Sequence, residues 1–283
     1  MKIDGSHSRL AVMPELDQPL SEITDLNLYD NMFSSIPDEV FLMHNLEILN
    51  LSGNRLQSIP PEIQTLCKVK MIDFGHNQIE TVPAEIGKLA QLEDYLYLHN
   101  NRFHTVPPEI GQLDKLKYLN LSDNSLTELP AELGGLTRMV ELRIMNNQLT
   151  ALPEACGKLV NLRELHLKKN RLSGLPEIFG GLPRLRVLDA EDNQLLHVPE
   201  SVTECTRLRR LNLRNNRLSG LPERIGRLTN LLELDLRSNH LTELPESLLE
   251  IEGLERLDLR WNHELTVPGW LQRLEDNGCI VYV

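Results

Sequence analysis

Apolar residues recur along this chain in a fixed cycle. Leucine or an equivalent stands five and three residues before an asparagine, as at Leu49 and Leu51, Leu119 and Leu121, and Leu234 and Leu236. Alternation of this kind turns every second side chain to one face and predicts a short strand. Another apolar residue comes two after most of these asparagines (Leu56, Phe103, Leu172), and a proline comes six after every one, from Pro37 to Pro268. Past the proline, apolar groups follow at three and six positions, as at Ile225 and Leu228 after Pro222. That spacing suits a short helix or a 3₁₀ turn. The asparagines that key the cycle are Asn31, Asn54, Asn77, Asn101, Asn124, Asn147, Asn170, Asn193, Asn216, Asn239 and Asn262, spaced by 23 residues except for the 24 between Asn77 and Asn101. Eleven repeats therefore occupy 23–276. Leu10, Pro14, Leu20 and Ile23 fit a degenerate capping repeat over 1–22, and Cys279 to Val283 reads as a capping strand within 277–283. The whole of 1–283 is read as a single domain.

The pattern LxxLxLxxNxLxxLPxxIxxLxx, seen from Leu208 to Leu228, resembles the leucine-rich repeat family, and the resemblance extends over nearly the whole chain. The 23-residue spacing with Leu-Pro after the asparagine is similar to the intracellular class that includes Ras-group and bacterial leucine-rich repeat proteins. The resemblance implies an α/β fold, a right-handed solenoid or horseshoe. A parallel sheet would line its concave face, and short helical or 3₁₀ segments its convex side. It also implies function through protein binding.

Physical reasoning supports the same template. One repeat cannot enclose its own leucines, so neighbours must stack into a continuous apolar column. Each asparagine sits where the chain leaves a strand, and its amide can both donate to and accept from backbone groups of adjoining coils. The eleven asparagines thus form a structural ladder.

Composition narrows the function classes. A formal charge of −12 at pH 7 opposes attraction to phosphate backbones, so nucleic acid is not expected as a partner. No apolar run is long enough to cross a bilayer, and the start lacks the apolar stretch of a secretory signal. The four cysteines, Cys67, Cys156, Cys205 and Cys279, lie far apart and suggest neither a zinc set nor a disulfide framework. Cys156 and Cys205 replace apolar residues of the repeat and read as core thiols. A cytoplasmic monomer is the expectation, with secretion as an effector left open. Phosphate loops, dinucleotide fingerprints, HExxH and GxSxG motifs are missing. The sequence therefore reads as a non-enzymatic signal-transduction scaffold, with no catalytic residue, metal or cofactor.

A protein or peptide partner would meet the strand positions that alternate with the leucines. Four of the five tyrosines, Tyr29, Tyr95, Tyr97 and Tyr118, occupy such positions. Tyr95, Tyr97, His99 and Tyr118, with Met71 before them and Arg143, Met145 and His166 after, are expected to form one patch, since exposed aromatics anchor binding hot spots. This patch contains the 24-residue repeat. Placing its extra residue at the start of the strand keeps Leu96 and Leu98 inside and the two phenols outside, which avoids burying hydroxyls. Lys168, Arg214, Arg237 and Arg260 share one slot in later repeats, beside Asp189, Asp235 and Asp258. They read mainly as members of cross-strand ion pairs, and secondarily as a means of steering an acidic partner. Two alternatives stay open. The chain could be the recognition part of a bacterial effector or signalling protein whose catalytic domain lies elsewhere, or a self-associating structural protein.

Overall fold

Each repeat contributes a strand of three residues whose central side chain points inward. In the computed structural model, which describes residues 1–283, the chain divides into two compact units, Met1–Met139 and Val140–Val283. The first carries β1 (Lys2–Asp4), β2 (Asp25–Asn27), β3 (Ile48–Asn50), β4 (Met71–Asp73), β5 (Tyr95–Tyr97) and β6 (Tyr118–Asn120). Consecutive strands pair in parallel and in register, so that Leu49 lies beside Ile72 and Ile72 beside Leu96. These central residues are fully buried, while the residues flanking them are half-buried. Parallel strands are normally covered on both faces. Here only one face meets the apolar column, which leaves the other open to a partner.

Proline starts the return segment of most coils. The Pro37 carbonyl accepts the Val40 N–H at 3.0 Å, and Pro60, Pro83, Pro107 and Pro130 repeat the bond with Ile63, Ile86, Ile110 and Leu133. Five-residue 3₁₀ helices result, such as Pro61–Thr65 and Pro108–Gln112. Of the two options the sequence allowed, short helix or 3₁₀ turn, the structure takes the second. Apolar groups three apart eclipse on a 3₁₀ helix and so face the core together. Adjacent turns lie close. A Cβ on Gly111 would stand 2.0 Å from the Glu132 carbonyl oxygen, so this position admits no side chain without moving backbone.

The asparagines join neighbouring coils. Asn54 Oδ1 accepts the Phe33 N–H at 3.0 Å, and its Nδ2 donates to the carbonyls of Leu28 at 2.9 Å and Leu51 at 3.0 Å. These groups face the interior, where no water can replace the asparagine. The residue before each asparagine turns the chain in the left-handed region: Asp30, His76, Asn100 and Asp123 have φ of 53 to 56°, and Gly53 has 67°. The 24-residue repeat holds its extra residue at the start of β5. Glu93 and Asp94 both donate to the Lys70 carbonyl, and their own carbonyls accept from Lys117 and Tyr118. This two-against-one bulge leaves Leu96 and Leu98 fully buried and both tyrosines on the open face, the register expected from the sequence.

The second unit repeats the plan with β7 (Glu141–Arg143), β8 (Glu164–His166), β9 (Val187–Asp189), β10 (Arg210–Asn212), β11 (Glu233–Asp235), β12 (Arg256–Asp258) and β13 (Ile280–Tyr282). Asn170, Asn193, Asn216 and Asn239 make the same three contacts as Asn54. Cys156, Cys205 and Cys279 are buried and Cys67 is exposed; all four thiols are free. Burial pushes the Cys156 and Cys205 thiols up to about 12, which keeps them protonated. The last coil departs from its predecessors. An α-helix, α1 (Leu271–Asp276), replaces the 3₁₀ turn and buries Leu271 and Leu274. It closes with the Cys279 N–H on the Leu274 carbonyl and the Gly278 N–H on that of Glu275, with Gly278 at φ 95°. The chain then enters β13, which pairs in parallel with β12.

Candidate functional site

On the open face of the first unit, strand pleating sets side chains of neighbouring strands side by side. Tyr95 lies beside Tyr118 in register, with ring centroids 4.9 Å apart and planes 29° from parallel. Tyr97, two residues along the same strand, holds its ring 5.3 Å from that of Tyr95, and His99 meets Tyr97 edge-on at 5.9 Å. His76 continues the series, edge-on to His99 at 4.8 Å. Five rings thus form one connected series. Aromatic pairs at such distances and tilts attract one another beyond their buried area. Met71 lies in register beside Tyr95, and Asp73 beside Tyr97.

The polar groups around these rings are unusual. Gly75 leaves the space that the His99 imidazole fills, since a Cβ there would come within 2.3 Å of the ring. His99 Nδ1 is buried with no hydrogen-bond partner, and burial holds the imidazole below its ordinary pKa despite the attraction of Asp73. Asp73 accepts the Gly75 N–H at 2.8 Å, but no lysine or arginine pairs with it. Burial raises its pKa, against the Gly75 hydrogen bond. The nearby lysines are engaged elsewhere: Lys70 with Glu47 at 2.8 Å and Lys117 with Asp94 at 3.3 Å. Sequence reasoning singled out Met71, Tyr95, Tyr97, His99 and Tyr118, and the structure brings these five together. It missed His76 and Asp73. Asp73 was discoverable, because period-two spacing puts it between Met71 and Gly75. His76 was not, because its left-handed backbone decides where the ring points.

In the second unit the open face is built from charge. Arg143, Lys168, Arg214, Arg237 and Arg260 stand there, each beside an acid. Lys168 Nζ is 2.9 Å from Glu191, and Arg214 is 3.7 Å from the same carboxylate. Arg237 pairs with Asp235 two residues before it and reaches Asp258 at 3.4 Å on the next strand. Asp258 also takes Arg260 at 2.7 Å and Arg256 at 3.3 Å. The pairs run along strands as well as across them, whereas the sequence suggested mainly cross-strand pairs. With a side chain 1% exposed, Asp258 would be raised by burial, yet the bonds from Arg260 and Arg256 and the charge of Arg237 hold it below the usual carboxylate range. Arg143 pairs with Glu141, and His166 lies 3.1 Å from Glu164 and 4.0 Å from Glu141. Glu141, Glu164 and His166 are the side chains whose donors could surround a metal ion, all lying within 4.8 Å. Arg143 already supplies a cation to Glu141. Met145 follows Arg143 at the end of β7, partly exposed.

Comparison with known proteins agrees with this architecture. Leucine-rich repeat models match residues 21–79 and 206–263, and a leucine-rich repeat region model matches 85–191. No curated protein matches the sequence. Among solved structures, a leucine-rich repeat protein of Leptospira interrogans is 32% identical, with a TM-score of 0.86 over 93% of this chain and 67% of its own. A TDR receptor is 30% identical, with a TM-score of 0.81 over 93% of this chain and 47% of its own. The plant peptide hormone receptor RGFR1, in complex with RGF2, is 27% identical, with a TM-score of 0.66 over 86% of this chain and 49% of its own. The chain therefore spans two thirds of the bacterial protein and about half of each receptor. No helix is long and apolar enough to cross a membrane.

Proposed function

Because the chain belongs to the leucine-rich repeat family, commonly a protein–protein interaction fold, we propose that it is a non-enzymatic scaffold that binds a protein or peptide on its open, concave sheet, centred on the tyrosines of β5 and β6. The observation that carries this reading is the series of five rings from Tyr118 to His76. Half-buried aromatics offer large contact area at low entropic cost, and they concentrate binding energy in protein interfaces. A strand-like segment lying across β4 to β6 would meet all five.

Two further parts of the proposal follow. Four free thiols support a reducing, cytoplasmic setting, and the charged sheet of β7 to β12 supports a role in orienting a partner in signalling rather than in adding affinity. The second reading makes the chain the recognition part of a larger protein, a reading favoured by its length relative to the structures it resembles. The test is selection of dodecapeptides from a displayed random library, followed by affinity measurement on Tyr95→Ala/Tyr118→Ala. At least a tenfold loss of affinity, with thermal unfolding unchanged, is the expected result. Equal affinity for the double variant overturns the reading.

A further inference from the structure

We infer that the tyrosine pair of β5 and β6, together with Asp73, is a subsite for a cationic side chain, arginine above lysine, presented by an extended partner segment. This rests on the concave-face reading above and names the chemistry of what that face takes.

Three observations converge on it. The first is internal to the molecule. In the second unit, aromatic rings at the sheet are covered by the protein's own cations: Arg260 lies over Tyr282 at 4.8 Å and over Trp261 at 5.5 Å, and Arg256 over Tyr282 at 5.3 Å. No lysine or arginine stands over Tyr95 or Tyr118. Second, the local charge is one-sided. Asp73 is the only charged residue among the outward positions of β3 to β6, and the lysines at the margin, Lys70 and Lys117, are held by Glu47 and Asp94. Third, Asp73 is a half-buried carboxylate with no cation of its own. An isolated charge of this kind costs stability and persists where a ligand completes it.

Geometry favours guanidinium. Asp73 is diagonal to Tyr95 across β4 and β5, and diagonal positions on a sheet are about 7–8 Å apart, room for one planar group. A guanidinium can stack on a tyrosine face while its edge donates two hydrogen bonds to a carboxylate, which a compact ammonium cannot do. Tyr95 and Tyr118, already stacked on each other, supply the face, and Asp73 supplies the carboxylate.

The test compares three fluorescein-labelled dodecapeptides that alternate serine with arginine, with citrulline or with glutamate. Anisotropy is measured against the full chain and against Asp73→Asn, Tyr95→Leu/Tyr118→Leu and Glu243→Gln. The last removes one exposed charge away from the site and reports bulk attraction by an acidic protein. We expect the arginine peptide to bind at least tenfold more tightly than its citrulline counterpart. Asp73→Asn should erase at least fivefold of that preference and Glu243→Gln none, with both variants melting as cooperatively as the parent. Equal losses in Asp73→Asn and Glu243→Gln overturn the inference, as does failure of the arginine peptide to bind. If arginine and citrulline peptides bind alike and the tyrosine variant weakens both, the cationic subsite falls while the concave-face reading stands. A tyrosine variant that weakens no peptide brings down both.

Discussion

The two units use one backbone plan and dress its open face in opposite ways. Between β3 and β6 the outward positions carry rings, amides, aliphatic groups and one acid, Asp73, with no lysine or arginine to pair with it. From β7 to β12 every strand carries charge, and apart from Asp189, which holds only the Glu191 N–H, those charges pair with one another, most densely where three arginines converge on Asp258. A face that satisfies itself has little left to offer a ligand. A face whose acid lacks a lysine or arginine keeps that capacity, at some loss of stability. The buried positions of the repeat, the inward leucines and the asparagines, follow the same pattern in both units.

The sharpest way to break this contrast is to make one substitution in both places. Asp258→Asn leaves three arginines facing a neutral amide and is expected to cost about 2–3 kcal/mol, lowered from the value for a fully buried pair because the arginines are partly exposed. Asp73→Asn is expected to leave the midpoint of thermal unfolding unchanged or raised at pH 7. Chemical denaturation of the two variants side by side decides the matter, and equal losses would remove the distinction between the faces.

Acid titration sharpens it further. The folded pKa of Asp258 is depressed, so its contribution is fully present above the unfolded carboxylate value, about 3.9, and is lost as pH falls through the lower folded value. The folded pKa of Asp73 is raised by burial, so its penalty is full at neutral pH and fades as pH falls through that raised value toward about 3.9. The advantage of Asp73→Asn over the parent should therefore shrink on acidification, while the deficit of Asp258→Asn should shrink only at lower pH still. Urea melts at steps from pH 7 to pH 3 measure both slopes.

A smaller effect tests what the units share. Asn54→Ala and Asn170→Ala each orphan buried backbone groups and should cost about 1–3 kcal/mol, alike in the two units. A marked inequality would mean that the ladder is not uniform. The smallest expected change is a gain. Lys169 has φ of 57°, and Lys169→Gly should relieve about 0.5–1 kcal/mol of left-handed strain, visible as a modest rise in the unfolding midpoint.

Much of this was legible in residue order. The leucines at five and three before each asparagine, the proline at six after and the extra residue before β5 were enough to predict short strands, the asparagine ladder and the outward turn of Tyr95 and Tyr97, and the family resemblance implied that the strands run parallel. All of these depend on contacts between one coil and the next, and those contacts recur at a fixed separation along the chain. α1 was not separated from the repeats, because its 3₁₀ counterparts share the same apolar spacing and only the Gly278 reversal closes an α-helical turn.

What residue order determined is the scaffold, since every coil must bury the same leucines and satisfy the same carbonyls, and a repeated physical demand leaves a repeated pattern. What only the tertiary structure decided is the chemistry of the open face. The stacking of Tyr95 on Tyr118, the seating of His99 over Gly75, the convergence on Asp258 and the isolation of Asp73 each depend on which side chains meet across neighbouring coils. Those meetings follow from rotamers, left-handed turns and burial, which vary from coil to coil while the repeat stays the same.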